Sequence, residues 1–205
     1  RSQTDLVLAT GDLVHDGKPA AYRRIFSWLG KFGLPVYCLA GNHDEAVTLQ
    51  HTLDNPRLHY VPQLQQGNWQ FIFLDSTVAG SEGGHLDRHD LESMDRHLAA
   101  APDKHALVCL HHQPVPIGSR WLDTMAIDNA GEFFAIIDRH PQVRGILWGH
   151  VHQTFDRMRN DVRLMATPST CIQFLPGSEK FALDTTAPGF RWLSLFPDGH
   201  IETGV

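Results

Sequence analysis

The sequence predicts a layered α/β domain in which strands and helices alternate along the chain. Four apolar, β-rich runs each end directly in a short polar block, and segments with helical character lie between them. Strands that are buried on both faces read as continuous apolar runs, and their alternation with helices favours a layered sheet. In such folds the functional groups gather beyond the carboxyl ends of the strands.

The four apolar runs are the predicted central strands, and each leads into a block with ligand or acid-base chemistry. The runs are Leu6–Ala9, Val36–Ala40, Ala106–Leu110 and Gly145–Trp148, and the blocks after them are Gly11-Asp12, Gly41-Asn42-His43, His111-His112 and Gly149-His150-Val151-His152. No apolar run approaches the roughly 20 residues of a membrane span. We therefore expect no membrane partner.

Three helices are predicted between the strands. Pro19–Phe32 begins with proline and is followed by Gly33, a placement that favours these helix ends. Asp87–Ala101 and Gly131–Arg139 are the other two, and Pro102 and Pro141 beyond their ends would stop them.

The last quarter of the chain is predicted as mostly antiparallel sheet. Turn signals rich in proline and glycine separate four short extended pieces. The pieces are Arg163–Ala166, Thr170–Phe174, Trp192–Phe196 and His200–Thr203.

Composition limits the domain count and the partners. A chain of 205 residues, 42% hydrophobic, can bury one core, so we expect a single domain over residues 1–205. The net charge of −6 gives no basic field for nucleic acid, and a small-molecule substrate fits better.

The three cysteines, Cys38, Cys109 and Cys171, are odd in number and lie in apolar stretches. This pattern favours buried thiols over disulfides, and it therefore also favours a cytoplasmic location.

The polar blocks supply carboxylate, amide and imidazole ligands, a set that suits Fe, Mn, Zn or Mg. Asp12 can bridge two cations, although a Gly-Asp after a strand is often only a turn or cap. Asn42 offers a carbonyl ligand and an NH₂ donor, and His43 can donate to a leaving oxygen. His150 and His152 are expected to stay extended and to project to one side. Because adjacent strand residues face opposite ways, His111 rather than His112 is the expected ligand.

The order of these blocks resembles the metallophosphoesterase, or calcineurin-like phosphoesterase, superfamily, whose pattern runs Asp-x-His, Gly-Asp, Gly-Asn-His, His, Gly-His-x-His. Three further segments make the chain similar to the bacterial class III 3′,5′-cyclic AMP phosphodiesterases within it. These segments are Ser119–Asp123 with the following Asn129-Ala130-Gly131, Ala166–Cys171, and Thr186–Arg191.

The resemblance implies an αββα sandwich of two mixed sheets flanked by helices, and two divalent or trivalent metal ions. It implies hydrolysis of cyclic AMP, or a related cyclic nucleotide, to the 5′-monophosphate by a metal-bridging hydroxide. Asp12, Asn42 and His43 would be catalytic, and Asn42, His43 and His152 would contact substrate. The metal ligands would be Asp12, Asn42, His111, His150 and His152.

One block of the family pattern is absent, because no Asp-x-His precedes Asp12. By the family pattern the second metal keeps Asp12, Asn42, His111 and His150, whereas the first retains only Asp12 and His152. We expect an N-terminal truncation that removes the first strand and helix, rather than a degraded variant. Exposed apolar surface beside Leu6–Ala9 would then leave this chain alone poorly folded or poorly active.

Several alternatives stay open at this point. A phosphomonoesterase, a nuclease or a non-catalytic interaction module of the same fold would share most of these blocks. Trp121, Phe174 and Phe190 are candidates to stack on a nucleobase, although aromatic residues beside strands are more often core plugs. The native metals, the preferred base and the choice between monomer and dimer are not fixed by the sequence.

Overall fold

Residues 4–205, which the computed structural model describes, form two stacked β-sheets with helices on both outer faces. The first sheet is parallel, in the order β1 (Val7–Thr10), β2 (Val36–Leu39) and β3 (Leu58–His59). Helices α1 (Pro19–Leu29) and α2 (Ala46–Thr52) contribute Tyr22, Phe26 and Leu49 to the core cluster that this sheet forms on its helical side.

The second sheet is mixed, with four parallel strands at its centre and an antiparallel strand at each edge. Its order is β4 (Gln63–Gln66), β5 (Trp69–Phe73), β6 (His105–Leu110), β7 (Val143–Trp148), β9 (Val162–Ala166) and β8 (Phe155–Arg159). Helices α3 (Arg88–Ala100), α4 (Arg120–Asp123) and α5 (Ala130–Ile137) cover its outer face.

A separate apolar cluster joins the two sheets face to face. Leu39 of β2 packs there with side chains from the second sheet such as Phe71, Leu107 and Leu147. The antiparallel hairpin of β10 (Trp192–Leu195) and β11 (Ile201–Gly204) adds Ile201 to the same cluster. The predicted αββα sandwich is thus confirmed, and the ends of β1, β2, β6 and β7 are brought to one rim.

The predicted helices agree with α1, α3 and α5 to within a few residues at each end, but the C-terminal prediction is partly wrong. Thr170–Phe174 is not a strand, because the buried side chain of Gln173 closes a loop there: it accepts from the backbone N–H of Ser169 and donates to the carbonyl oxygens of Ser169 and Ala187. Strand β9 also pairs in parallel with β7, so its surroundings are mixed rather than antiparallel.

The thiols differ from expectation at one position. Cys38 and Cys109 are buried and free, whereas Cys171 is exposed because it lies in the loop that Gln173 closes. Among the helices of residues 4–205, none has the length and apolar character needed to cross a bilayer.

Candidate metal centre

Four side chains converge where strands of both sheets end. Asp12 and Asn42 follow β1 and β2 of the first sheet, and His111 and His150 follow β6 and β7 of the second. The backbone N–H of Gly149 donates to the carbonyl oxygen of His111 at 3.2 Å, which ties the ends of β6 and β7 together. The site is therefore shared between the two layers of the sandwich.

The inward atoms of these side chains have the spacing of ligands around one cation. His111 Nε2 lies 3.1 Å from Asn42 Oδ1 and 3.4 Å from Asp12 Oδ1. His150 Nδ1 lies 3.0 Å from Asn42 Oδ1 and 3.3 Å from His111 Nε2. Ligands about 2.1 Å from a common ion are about 3.0 Å apart in octahedral and about 3.4 Å apart in tetrahedral geometry.

The hydrogen bonding of His111 leaves a lone pair pointing into this cluster. Its Nδ1 lies 2.8 Å from the carbonyl oxygen of Thr10, which can only accept, so Nδ1 carries the hydrogen. In the neutral ring Nε2 is then unprotonated and faces the oxygens of Asp12 and Asn42. Several lone pairs this close repel one another unless a proton or a metal cation lies between them, so the donor set fits a metal ion that takes the place of the proton.

Backbone conformation is unusual at the same residues. Asp12, His150 and His152 have φ values of 53°, 60° and 47°, and Asn160 is the one other non-glycine residue between positions 4 and 205 with a positive φ. Such conformations cost about 1–3 kcal/mol each and concentrate at functional sites. These φ values also correct the expectation that Gly149–His152 stays extended. Because the chain turns at each histidine, the alternation of side chains along a strand does not determine where the two imidazole rings point.

Glycines in the blocks allow the backbones to approach the ligands closely. A Cβ on Gly41 would overlap Asp12 and lie 2.7 Å from Cε1 of His111, and one on Gly149 would lie 2.5 Å from the carbonyl oxygen of Thr10. These contacts are too short for any side chain. The two glycines are therefore required for Asp12 and His111 to meet.

Asp44, which directly follows the Gly41-Asn42-His43 block, holds the two loops of the first sheet together. Its carboxylate accepts from the backbone N–H groups of Leu13 at 3.1 Å and Gly41 at 2.8 Å, and from the Tyr22 hydroxyl at 3.0 Å. Burial raises the pKa of Asp44, and the N–H donors oppose that shift. The carboxylate fixes the loop containing Asp12 against the loop containing Asn42.

The other predicted site residues lie at the edges of this cluster. The backbone N–H of His43 donates to Asp12 Oδ1 at 3.1 Å, and its exposed ring lies 4.9 Å from the ring of His15. The ring of His152 lies flat against Phe174, with centroids 4.2 Å apart. Burial lowers the pKa of His152, and the nearby Asp12 carboxylate partly opposes this effect.

His112 supports the cluster from behind. It is fully buried, its Nδ1 lies 2.8 Å from the Ser76 hydroxyl, and its ring centroid lies 4.9 Å from that of His111 and 4.6 Å from that of His150. Burial and the neighbouring His111 lower the pKa of His112 to about 3, so its ring is neutral. His111 Nε2 faces Asn42 and Asp12, whereas His112 offers a ligand atom within 4.8 Å of those of His111 and His150, so the choice of His111 over His112 as metal ligand stays a prediction.

The charge state of His111 predicts how pH affects metal binding. Burial alone lowers the pKa of His111, but hydrogen bonding and attraction from Asp12 outweigh it and raise the pKa above its usual value. Since Nδ1 donates to Thr10, the added proton occupies Nε2, and a metal ion must displace it. We expect Mn²⁺ affinity to fall as pH falls through this raised pKa, by about tenfold per pH unit.

Calorimetric titration with Mn²⁺ between about pH 6 and pH 9, in buffers of different ionisation enthalpy, measures how many protons are released for each ion bound. Below the raised pKa of His111, we expect about one proton per ion. Affinity that stays constant over the whole range, with no proton released, would contradict the assignment of the proton to His111.

Comparison with known proteins supports this fold and these sequence motifs. A family model described as calcineurin-like phosphoesterase matches residues 1–154. A Pseudomonas aeruginosa protein named 3′,5′-cyclic adenosine monophosphate phosphodiesterase CpdA is 43% identical over 202 residues, which are 98% of this chain and 74% of that protein. A 3′,5′-cyclic-nucleotide phosphodiesterase from Nostoc sp. is 40% identical over 205 residues, covering 100% of this chain and 77% of its own length.

Among solved structures, a dimetal phosphatase from Danio rerio matches with a TM-score of 0.64 at 15% identity, over 92% of this chain and 79% of that one. This likeness concerns the fold alone. The matched family model and the similar relatives show that the chain belongs to the calcineurin-like phosphoesterase family, as the order of its polar blocks indicates.

Proposed function

We propose that this protein is a metal-dependent phosphodiesterase that hydrolyses 3′,5′-cyclic AMP, or a related cyclic nucleotide, to the 5′-monophosphate. The observation that carries the proposal is the convergence of Asp12, Asn42, His111 and His150 at ligand spacing. The substrate is supported by relatives that are named cyclic nucleotide phosphodiesterases and match nearly the whole chain.

These four residues would hold one metal ion, and Asp12 with His152 would contribute to a second. The donor set of carboxylate, amide and imidazole accepts Fe, Mn, Zn or Mg. When bound, such ions lower the pKa of water and neutralise charge on a phosphoryl group. The net charge of −6 gives the chain no general attraction for polyanions, so a small diester suits it better than nucleic acid.

The residues around the metal site have distinct proposed roles with the substrate. Asn42 directs its oxygen toward His111 and His150, so its NH₂ group is left to donate to a phosphate oxygen. His43 holds Asp12 through its backbone N–H, and its exposed imidazole would donate a proton to the departing 3′ oxygen. In this reaction the bond between phosphorus and the 3′ oxygen breaks, and the oxygen of water joins the phosphorus.

We further propose that residues 1–205 belong to one calcineurin-like phosphoesterase domain that works in the cytoplasm. The face-to-face cluster that joins the sheets supports a single unit. The buried free thiols of Cys38 and Cys109 suit a reducing compartment.

The direct test is incubation of the Mn²⁺-loaded protein with cyclic AMP in ¹⁸O-labelled water. The expected product is 5′-AMP with one labelled phosphate oxygen, and a chelator should abolish its formation. Formation of 3′-AMP, or no hydrolysis by protein with two bound metal ions per chain, would overturn the proposed function.

His43→Ala should lower turnover of cyclic AMP by about 10²-fold or more while bound metal is retained, because its imidazole is assigned to proton donation and not to the ligand set. Steady-state kinetics and metal analysis measure the two quantities. His51→Ala, an exposed histidine on α2, is the matched control and should change neither. Equal turnover in the His43 variant and the unaltered protein would remove His43 from the mechanism.

A further inference from the structure

Three aromatic side chains form a packed group beside the candidate metal centre, which we term the aromatic wall: Trp121, Phe174 and Phe181. Ring centroids are 5.0 Å apart for Trp121 and Phe174, 5.4 Å for Trp121 and Phe181, and 5.6 Å for Phe174 and Phe181. Each pair meets edge to face, with interplanar angles of 72°, 75° and 67°. This arrangement is favourable for aromatic rings and keeps the group together.

The wall is continuous with the site. The ring of Phe174 is parallel to that of His152, with an interplanar angle of 3°, and the Phe174 backbone N–H donates to the His152 carbonyl oxygen at 3.2 Å. A molecule that contacts His152 with its phosphate therefore has aromatic surface immediately beside it.

The outer ring of the wall is exposed although its loop is firmly anchored. Phe181 is 63% exposed. The Ser119 hydroxyl, itself buried, accepts from the backbone N–H of Gly177 at 3.0 Å and from Gln153 Nε2 at 3.1 Å. Leu175 N–H also donates to the Ala182 carbonyl oxygen at 2.9 Å, which closes the loop. With the partly buried rings of Trp121 and Phe174 beside it, Phe181 completes a contiguous aromatic patch next to a polar site, and such patches occur at ligand-binding surfaces.

We propose that the aromatic wall binds the nucleobase of a cyclic nucleotide, with Phe181 as the ring on which the base stacks. The inference rests on the proposed function, because a cyclic nucleotide joins a planar base to its phosphate through a single ribose. Stacking on an aromatic side chain tolerates any base and is stronger for larger rings. The wall thus selects nucleotides over small diesters without distinguishing adenine from guanine.

Of the three sequence-predicted stacking candidates, Trp121 and Phe174 lie in the wall and Phe190 does not. Phe190 is 69% exposed, and among residues 4–205 it makes no ring contact with another aromatic side chain. It is therefore the competing candidate, since it is an exposed phenylalanine of the same C-terminal region.

The test compares Phe181→Ala, Phe181→Tyr and Phe190→Ala on two substrates, cyclic AMP and the methyl riboside 3′,5′-cyclic phosphate that lacks a base. Phe181→Ala should raise KM for cyclic AMP about tenfold with kcat unchanged, because stacking is made equally before and during reaction. It should leave kinetics with the base-free substrate unchanged. Phe181→Tyr should restore KM, and Phe190→Ala should leave KM unchanged; a rise in KM for cyclic AMP in the Phe190 variant and not in the Phe181 variant would place the base at Phe190 instead.

A second readout does not depend on turnover. Calorimetry should show that Phe181→Ala weakens binding of 5′-AMP about tenfold and leaves binding of ribose 5-phosphate unaltered. If the unaltered protein hydrolyses cyclic AMP but Phe181→Ala matches it in both measurements, or weakens both kinds of ligand equally, the wall is not the base site. If the unaltered protein binds two metal ions per chain and hydrolyses neither substrate, the proposed function fails and this inference fails with it.

Discussion

Asp12→Asn is expected to lower kcat/KM for cyclic AMP by about 10³-fold and to reduce the bound metal. Asp12 Oδ1 lies 3.4 Å from His111 Nε2 and also accepts the backbone N–H of His43. An amide oxygen preserves that hydrogen bond and the shape of the side chain, but it removes the negative charge from the site. Loss of one preorganised electrostatic contact typically lowers turnover by about 10²- to 10³-fold, and weaker metal binding adds to this.

Steady-state kinetics and metal analysis of the purified variants measure both effects. Asp16→Asn is the control, because Asp16 lies in the same loop but pairs at the surface with Lys18, 3.0 Å away. It should behave as the unaltered protein does. An Asp12→Asn protein with unchanged turnover and metal content would show that the carboxylate is not part of the site.

Gly41→Ala is expected to destabilise the protein and to lose the metal site. The added methyl group would overlap Asp12 and lie 2.7 Å from Cε1 of His111, so the loops after β1 and β2 would have to separate. Overpacking of this kind costs about 1–3 kcal/mol. At about 2–4 °C per kcal/mol for a chain of this size, Tm should fall by about 2–12 °C.

Thermal unfolding followed by circular dichroism, with and without Mn²⁺, measures this change. Gly131→Ala is the control, since a Cβ on Gly131 in α5 would meet nothing within 4 Å. Alanine is favoured over glycine within a helix, so the control Tm should be unchanged or slightly higher. Should Gly41→Ala match the control in Tm and in Mn²⁺ binding, the close approach of the two loops would not be needed.

The positions of the site residues are predictable from the sequence because of where they stand relative to buried strands. Asp12, Asn42, His111 and His150 each follow an apolar run, and parallel strands in stacked sheets deliver their carboxyl ends to one rim. That reasoning needs only local hydrophobicity and chain order, which are both visible in the sequence.

The conformation of the site is not predictable in the same way. The left-handed backbone at His150 and His152 lies beside a close approach between Gly149 and Thr10, which come from different sheets. No local pattern encodes such a contact, and extended geometry is the natural expectation after a strand. The proposed role of Phe181 could not be predicted for a similar reason, because its partners Trp121 and Phe174 are distant in sequence.

The distribution of the ligand set over both sheets has a consequence for stability. Asp12 and Asn42 belong to the three-stranded layer, and His111 and His150 to the six-stranded one. An ion held by all four would act as a non-covalent cross-link between the layers, and its binding energy would add to the folding free energy. Metal binding would therefore slow the separation of the two sheets during unfolding, and this effect is distinct from any role of the metal in the chemical step.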